Sequence, residues 1–131
     1  MRVFLTQQVA RLVYRERLPE AVLCRTARDV VAGVLRAGEA DLGDALFKKR
    51  IARPGGGKRG GFRVIAGHNR TRPERVLFAY VFAKNVASTL TPQGYEAFAR
   101  VTAAFLGATD QQVAALVKAG DMTEIQCNGD T

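Results

Sequence analysis

Residues 50–65 read RIARPGGGKRGGFRVI. Five cations and five glycines share these sixteen positions, and the stretch closes on a strand-like run. Short β-rich runs stand around it: LFKKRIA (46–52), GFRVIAG (61–67) and RVLFAYVFAK (75–84), the last two separated by the polar connection HNRTRPE (68–74). In the first run Phe47, Lys49 and Ile51 alternate with Lys48 and Arg50, so Lys48 and Arg50 share one face. The third run is apolar on both faces, as a central strand is. A flexible, strongly positive loop held between antiparallel strands is thus the middle of the chain.

Helical signals flank this middle. After a short strand, RVFL (2–5), Thr6 is placed to cap a helix in which Val9, Leu12 and Val13 recur as far as about Arg17. Pro19 opens a second helix with Leu23, Ala27, Val30, Val31 and Val34 on its apolar stripe and Gly38 as its stop. These two helices form an antiparallel hairpin turning at Leu18 and Pro19, and ADLGDA (40–45) follows as a loop. Beyond the strands, Thr91 and Pro92 start a third helix carrying Tyr95, Phe98, Ala99, Thr102, Phe105 and Leu106 on one face, ended by Gly107. Thr109 and Gln112 make a capping-box pattern for a fourth, which stops at Gly120, and TEIQC (123–127) reads as a last edge strand. The order β-α-α-β-β-β-α-α-β predicts an α+β fold in which helices pack on one face of a mainly antiparallel sheet and leave the other open. At 131 residues, with no repeat or linker, residues 1–131 are expected to form a single domain.

The charge is concentrated rather than spread. The chain carries 20 Lys and Arg against 12 Asp and Glu, a net charge of +8. Between Lys48 and Arg75 the local balance is +9, with Glu74 the only acid, and the rest of the chain comes to −1. A focused excess of this kind points to a polyanionic partner, since a solvated face with no partner normally mixes both signs. Cys24 and Cys127 are far apart and in no metal-ligand spacing, so they are expected as free thiols of a cytoplasmic protein. No segment approaches the ~18 apolar residues of a membrane span, and the N-terminal run is broken by Gln7, Gln8 and Arg11, so no membrane association is expected.

The usual catalytic constellations are missing from the sequence. His68 is the only histidine and sits in a polar turn. No His/Cys/Asp/Glu group has metal-ligand spacing, so neither a metal nor another cofactor is expected. PGGGKRGG lacks the first glycine and the Lys-Ser/Thr ending of a phosphate-binding P-loop. What remains is Lys and Arg with a few aromatics, and that set suffices to cut RNA. RNA supplies its own nucleophile, the 2′-hydroxyl, leaving the protein to align it, to stabilise charge on the phosphate and to move protons. Arginine provides a planar fork for the phosphate, and a lysine among like charges loses its proton more readily. Composition and charge alone favour nucleic-acid binding over catalysis.

Two motifs narrow the choice. The run KKRIARPGGGKRGGFRVI (48–65) resembles the signature of RelE/HigB-type bacterial toxins, most closely the HigB-like branch, and YVFAKN (80–85) is similar to that branch's second motif. The resemblance, spanning roughly residues 2–120, implies a microbial RNase-like (RelE-type) fold and a toxin–antitoxin pair. It further implies a ribosome-dependent messenger-RNA endoribonuclease, or mRNA interferase, that inhibits translation through metal-independent 2′-hydroxyl attack. The partners it implies are mRNA, the ribosome and a cognate antitoxin with a helix-turn-helix domain, through which alone operator DNA would be bound. By this resemblance Lys48, Arg50, Arg63 and Lys84 are the catalytic cations, Arg63 matching the arginine held against the scissile phosphate. Lys49, Arg53, Lys58 and Arg59 become grips on RNA backbone, and Tyr80, which shares strand parity with Lys84, joins them. Two departures stand out: relatives often have arginine where this chain has Asn85, and a tyrosine near Thr91, whereas the nearest here is Tyr95, expected in the core. Lys48 and Lys84 are then the candidates for general base. The competing readings are a ParE-type DNA gyrase inhibitor, which shares the fold without these cations, and a basic RNA-binding module with no activity.

Overall fold

The computed structural model describes residues 1–52, 61–83 and 91–127. Along the chain run β1 (Arg2–Thr6), α1 (Gln7–Glu16), α2 (Glu20–Ala32), β2 (Ala40–Gly43), β3 (Leu46–Ile51), β4 (Phe62–Gly67), β5 (Arg75–Ala83), α3 (Pro92–Gly107), α4 (Asp110–Lys118) and β6 (Met122–Ile125). The strands form one six-stranded sheet in the order β2-β3-β4-β5-β1-β6. β1 lies parallel to β5, and every other neighbouring pair is antiparallel. The class is α+β with a mainly antiparallel sheet, as the sequence predicts.

The helices are distributed differently from the expectation. They cover both faces of the sheet instead of one. Val3 and Leu5 of β1 face α1 and α2, where Val9, Leu12, Leu23, Ala27 and Val30 join them in the larger core. Phe4, between them in the chain, points the other way and packs with Leu77, Phe105, Leu106 and Val113 under α3 and α4. The physical reason lies in β1 and β5, which are apolar on both faces: leaving Phe4 and Leu77 uncovered would expose that surface to water. Gly67 marks how closely α3 approaches, because a Cβ there would meet Thr102 Cγ2 at 2.3 Å.

Local signals explain the ends of these elements. Thr6, Thr91 and Thr109 each accept a backbone N–H at a helix start, and Thr109 with Gln112 completes the capping box. α2 stops earlier than expected. Gly33, at φ +74°, is its left-handed cap, so Val34 lies beyond the helix and the 34–39 segment becomes a turn leading into β2. β2 itself stands where a loop was expected. Its composition is poor for a strand, but Asp44 and Ala45 both adopt positive φ and close a tight hairpin that brings it against β3.

The cysteines also differ from expectation. Cys24 of α2 and Cys127, just past β6, are bridged, with Cα atoms 5.5 Å apart. The pairing follows from topology: β6 lies beside β1 at the sheet edge, under the α1–α2 layer, which brings residues 103 positions apart together. No helix among the described residues is long and apolar enough to cross a membrane.

Candidate functional site

The site is built on the α3 face of β3, β4 and β5, at the end of the sheet away from Gly67. Register aligns two rows across these strands. Arg50 is the Cα partner of Arg63, and Arg63 of Phe82; Lys48 is the partner of Ile65, and Ile65 of Tyr80. Directly paired residues on neighbouring strands share a face. The expected catalytic cations Lys48, Arg50 and Arg63 therefore stand on one surface, with Lys48 and Arg63 half-buried and Arg50 exposed.

A β-bulge decides where the aromatic residues go. The β4–β5 register shifts between Ile65 and Ala66, which leaves Ala79 as the extra residue. Without the shift Tyr80 would share the face of Phe78, inside the α1–α2 core. With it, Tyr80 turns to the cationic face and stacks on Phe98 of α3, ring centroids 5.0 Å apart and planes 27° from parallel. Phe82 lies 5.9 Å from Tyr80 on the same side. Three rings thus form a small platform beside Arg63. Phe82 is the strand-parity neighbour of Tyr80, and that spacing is its only signal in the sequence.

Arg50 and Arg63 converge as side chains and not only as backbone partners. A Cβ built on Gly38 would lie 3.4 Å from Arg50 Cδ and 3.9 Å from Arg63 Nη2, so both arms lie against this one glycine. Gly38 has φ +81°, a conformation that suits glycine. Arg50 Nη1 also donates to the Ala37 carbonyl at 3.2 Å. Burial and the charge of Arg50 push the pKa of Arg63 down, while Glu39 acts in the opposite direction. A guanidinium stays charged at neutral pH regardless, so two cations held side by side are available to a dianionic or anionic group.

Several sequence-predicted residues are placed elsewhere. Lys49, expected to grip RNA, is corrected: it is 1% exposed on the opposite face of β3. Its ammonium donates to Glu39 Oε1 at 2.7 Å and to the Val34 carbonyl, and its burial keeps it from solvent. The alternation of β3 put Lys49 with Phe47 and Ile51, and that parity prevails over its charge. Arg75, one cation of the basic middle, is fully buried; its Nη1 donates to the Phe105 and Ala108 carbonyls and its Nη2 to Asp110 Oδ1. Tyr95 is not core. Its hydroxyl lies 2.7 Å from Leu42 O and 2.8 Å from Asp44 Oδ2, and the hydrogen bond to Asp44, with partial burial, raises its pKa, so it holds its proton more tightly than a free tyrosine. His68 Nε2 sits 3.0 Å from the Pro73 carbonyl and serves the turn. Lys84, Arg53, Lys58 and Arg59 lie outside the described residues.

The arrangement can do two things chemically. Paired arginines can grip a phosphate by charge-assisted hydrogen bonds, and the adjacent rings can take a nucleobase face-on. Among the described residues no group of three or more His, Cys, Asp or Glu could hold a metal ion. No curated protein matches the chain. A family model described as the RelE toxin of the RelE/RelB toxin–antitoxin system matches residues 1–125. With that match over nearly its whole length, the chain belongs to the RelE toxin family, the toxin half of a pair whose other half is a cognate antitoxin.

Proposed function

We propose that this toxin is an endoribonuclease that cuts messenger RNA on the ribosome. The observation that carries the reading is the direct pairing of Arg50 with Arg63 across β3 and β4. Like charges opposite one another destabilise a sheet, so an anion is the natural third member of this pair. In the proposed reaction the 2′-hydroxyl attacks the adjacent phosphorus as its proton is removed. The bond from phosphorus to the 5′-oxygen of the next nucleotide breaks, and that oxygen takes up a proton. Arg63 and Arg50 hold the phosphate oxygens as charge builds on them. Lys48, one ladder row away, and Lys84 move the protons. Arg53, Lys58 and Arg59 hold RNA backbone, and Tyr80 with Phe82 and Phe98 offers a stacking surface for a base.

The similarity of residues 48–65 and 80–85 to the HigB-like branch supports a helix-turn-helix antitoxin that carries the pair to operator DNA, and a cytoplasmic place of action. The test is induced expression in bacteria, wild type beside Arg63→Ala, with growth and 5′-end mapping of mRNA read together. Growth arrest with new 5′ ends inside translated regions, both lost in the variant, is the expected result. Arrest without cuts would instead favour the gyrase-directed relatives, and no arrest would remove the reading.

A further inference from the structure

One acidic side chain reaches the back of the cationic pair. Glu39 lies in the turn between α2 and β2, and its carboxylate is 3% exposed. Oε1 accepts from Lys49 Nζ at 2.7 Å and from the backbone N–H of Arg36 at 2.8 Å. Oε2 accepts from the backbone N–H of Arg50 at 2.9 Å. One carboxylate therefore ties the buried face of β3, the start of the turn and the residue bearing a site guanidinium. The turn it closes contains Ala37, whose carbonyl accepts from Arg50 Nη1, and Gly38, against which the arms of Arg50 and Arg63 lie.

Lys49 explains why the acid is held there. A lone buried carboxylate is costly, and a lone buried ammonium equally so, but together with the Val34 carbonyl each has its charge met. The pair sits one residue from Arg50, on the other face of the same strand. Its ends thus act on the site from behind, without reaching the surface.

Resting on the proposed RNA-cleaving function, we infer that Glu39 is a positioning residue: clamped by Lys49, its carboxylate fixes the Arg50 backbone and the Ala37–Gly38 wall that aligns the Arg50 and Arg63 side chains, and its charge offsets their mutual repulsion. Glu39 touches no substrate and moves no proton. Glutamine cannot replace it, because the amide –NH₂ would point a donor at Lys49, Arg36 N–H or Arg50 N–H.

The experiment measures cleavage of a defined message on programmed ribosomes by wild type, Glu39→Gln, and the double variant Glu39→Leu/Lys49→Met, each at a temperature where its circular dichroism shows it folded. Glu39→Gln should lower the maximal rate ~10–10²-fold, the scale of a misplaced catalytic group, with the half-saturating ribosome concentration within about twofold of wild type. The double variant exchanges a buried ion pair for apolar side chains, an exchange often neutral for stability, yet leaves Arg50 N–H without its acceptor. It should recover only part of the melting temperature lost in Glu39→Gln, since the Arg36 and Arg50 N–H groups and the Val34 carbonyl lose their partners, and it should stay slow wherever it is folded. Recovery of both stability and rate in the double variant would make the pair merely structural and overturn the inference, as would a Glu39→Gln protein that cuts as fast as wild type. A wild type that cuts nothing overturns the RNA-cleaving reading along with it, so the two failures are told apart by the wild-type lane.

Discussion

Arg50 faces Arg63 directly across the β3–β4 ladder, with both side chains against Gly38. A sheet that served stability alone would place opposite charges or apolar residues at such a pair. On the proposed reading the pair serves activity rather than folding, and the two can be measured apart.

Replacing Arg63 by alanine should cost activity and not stability. Loss of one key charge donor reduces cleavage by ~10²–10³, while relief of the repulsion leaves the melting temperature unchanged or slightly raised. Calorimetry and a cleavage assay on the same preparation check both halves. A parallel fall in both would mean that Arg63 is holding the fold.

Arg75 should show the reverse. It is fully buried, and its hydrogen bonds to Phe105 O and Ala108 O satisfy the carbonyls at the end of α3. Arg75→Met strips those donors from buried acceptors and should destabilise the protein by about 3 kcal/mol, read by urea unfolding. The cleavage rate of the folded fraction should be unaffected, since Arg75 lies outside the site.

The Cys24–Cys127 bridge ties α2 to the segment after β6 and closes a loop of 103 residues. Reduction, or Cys127→Ser, should lower stability by ~2–4 kcal/mol. Chemical denaturation with and without a dithiol reductant measures this, and Cys127→Ser should no longer respond to the reductant.

Acid should loosen the Glu39 clamp. Burial alone would raise the pKa of Glu39, but hydrogen bonds from Lys49 Nζ and the Arg50 and Arg36 N–H groups, with the charge of Lys49, carry it below the ordinary value. The unfolded chain then binds a proton at this site before the folded one does. The contribution is fully present above about pH 4.3, the ordinary glutamate value, and is lost as pH falls through the lower folded value. Asp110, lowered chiefly by its hydrogen bond from Arg75, acts in the same sense. Unfolding free energy followed from pH 6 to pH 2 should therefore decline, and less steeply in Glu39→Gln.

Much of this was legible in the chain, because short-range rules wrote it. The helix starts at Thr6, Thr91 and Thr109 follow from capping, and the shared face of Lys48 and Arg50 from the two-residue period of a strand. What stayed hidden depends on partners distant in sequence. Charge marked Lys49 and Arg75 as surface cations, whereas Glu39 and the end of α3 make them interior ones. The bulge at Ala79, which turns Tyr80 toward the site, is a matter of register between two strands and leaves no local signal. The double-faced apolar character of β5 is visible in its sequence, and helices on both sides of the sheet are its physical consequence.

The most direct test of RNA cleavage by this site uses purified toxin, programmed ribosomes and two messages that differ at one atom. One carries ribose throughout, and the other carries 2′-deoxyribose at the mapped cleavage position. Cleavage of the first and not of the second, unchanged by a metal chelator that leaves the ribosomes intact, is the predicted result. Cleavage of the deoxy message at the same position would contradict the account, because the nucleophile would then come from somewhere other than the RNA.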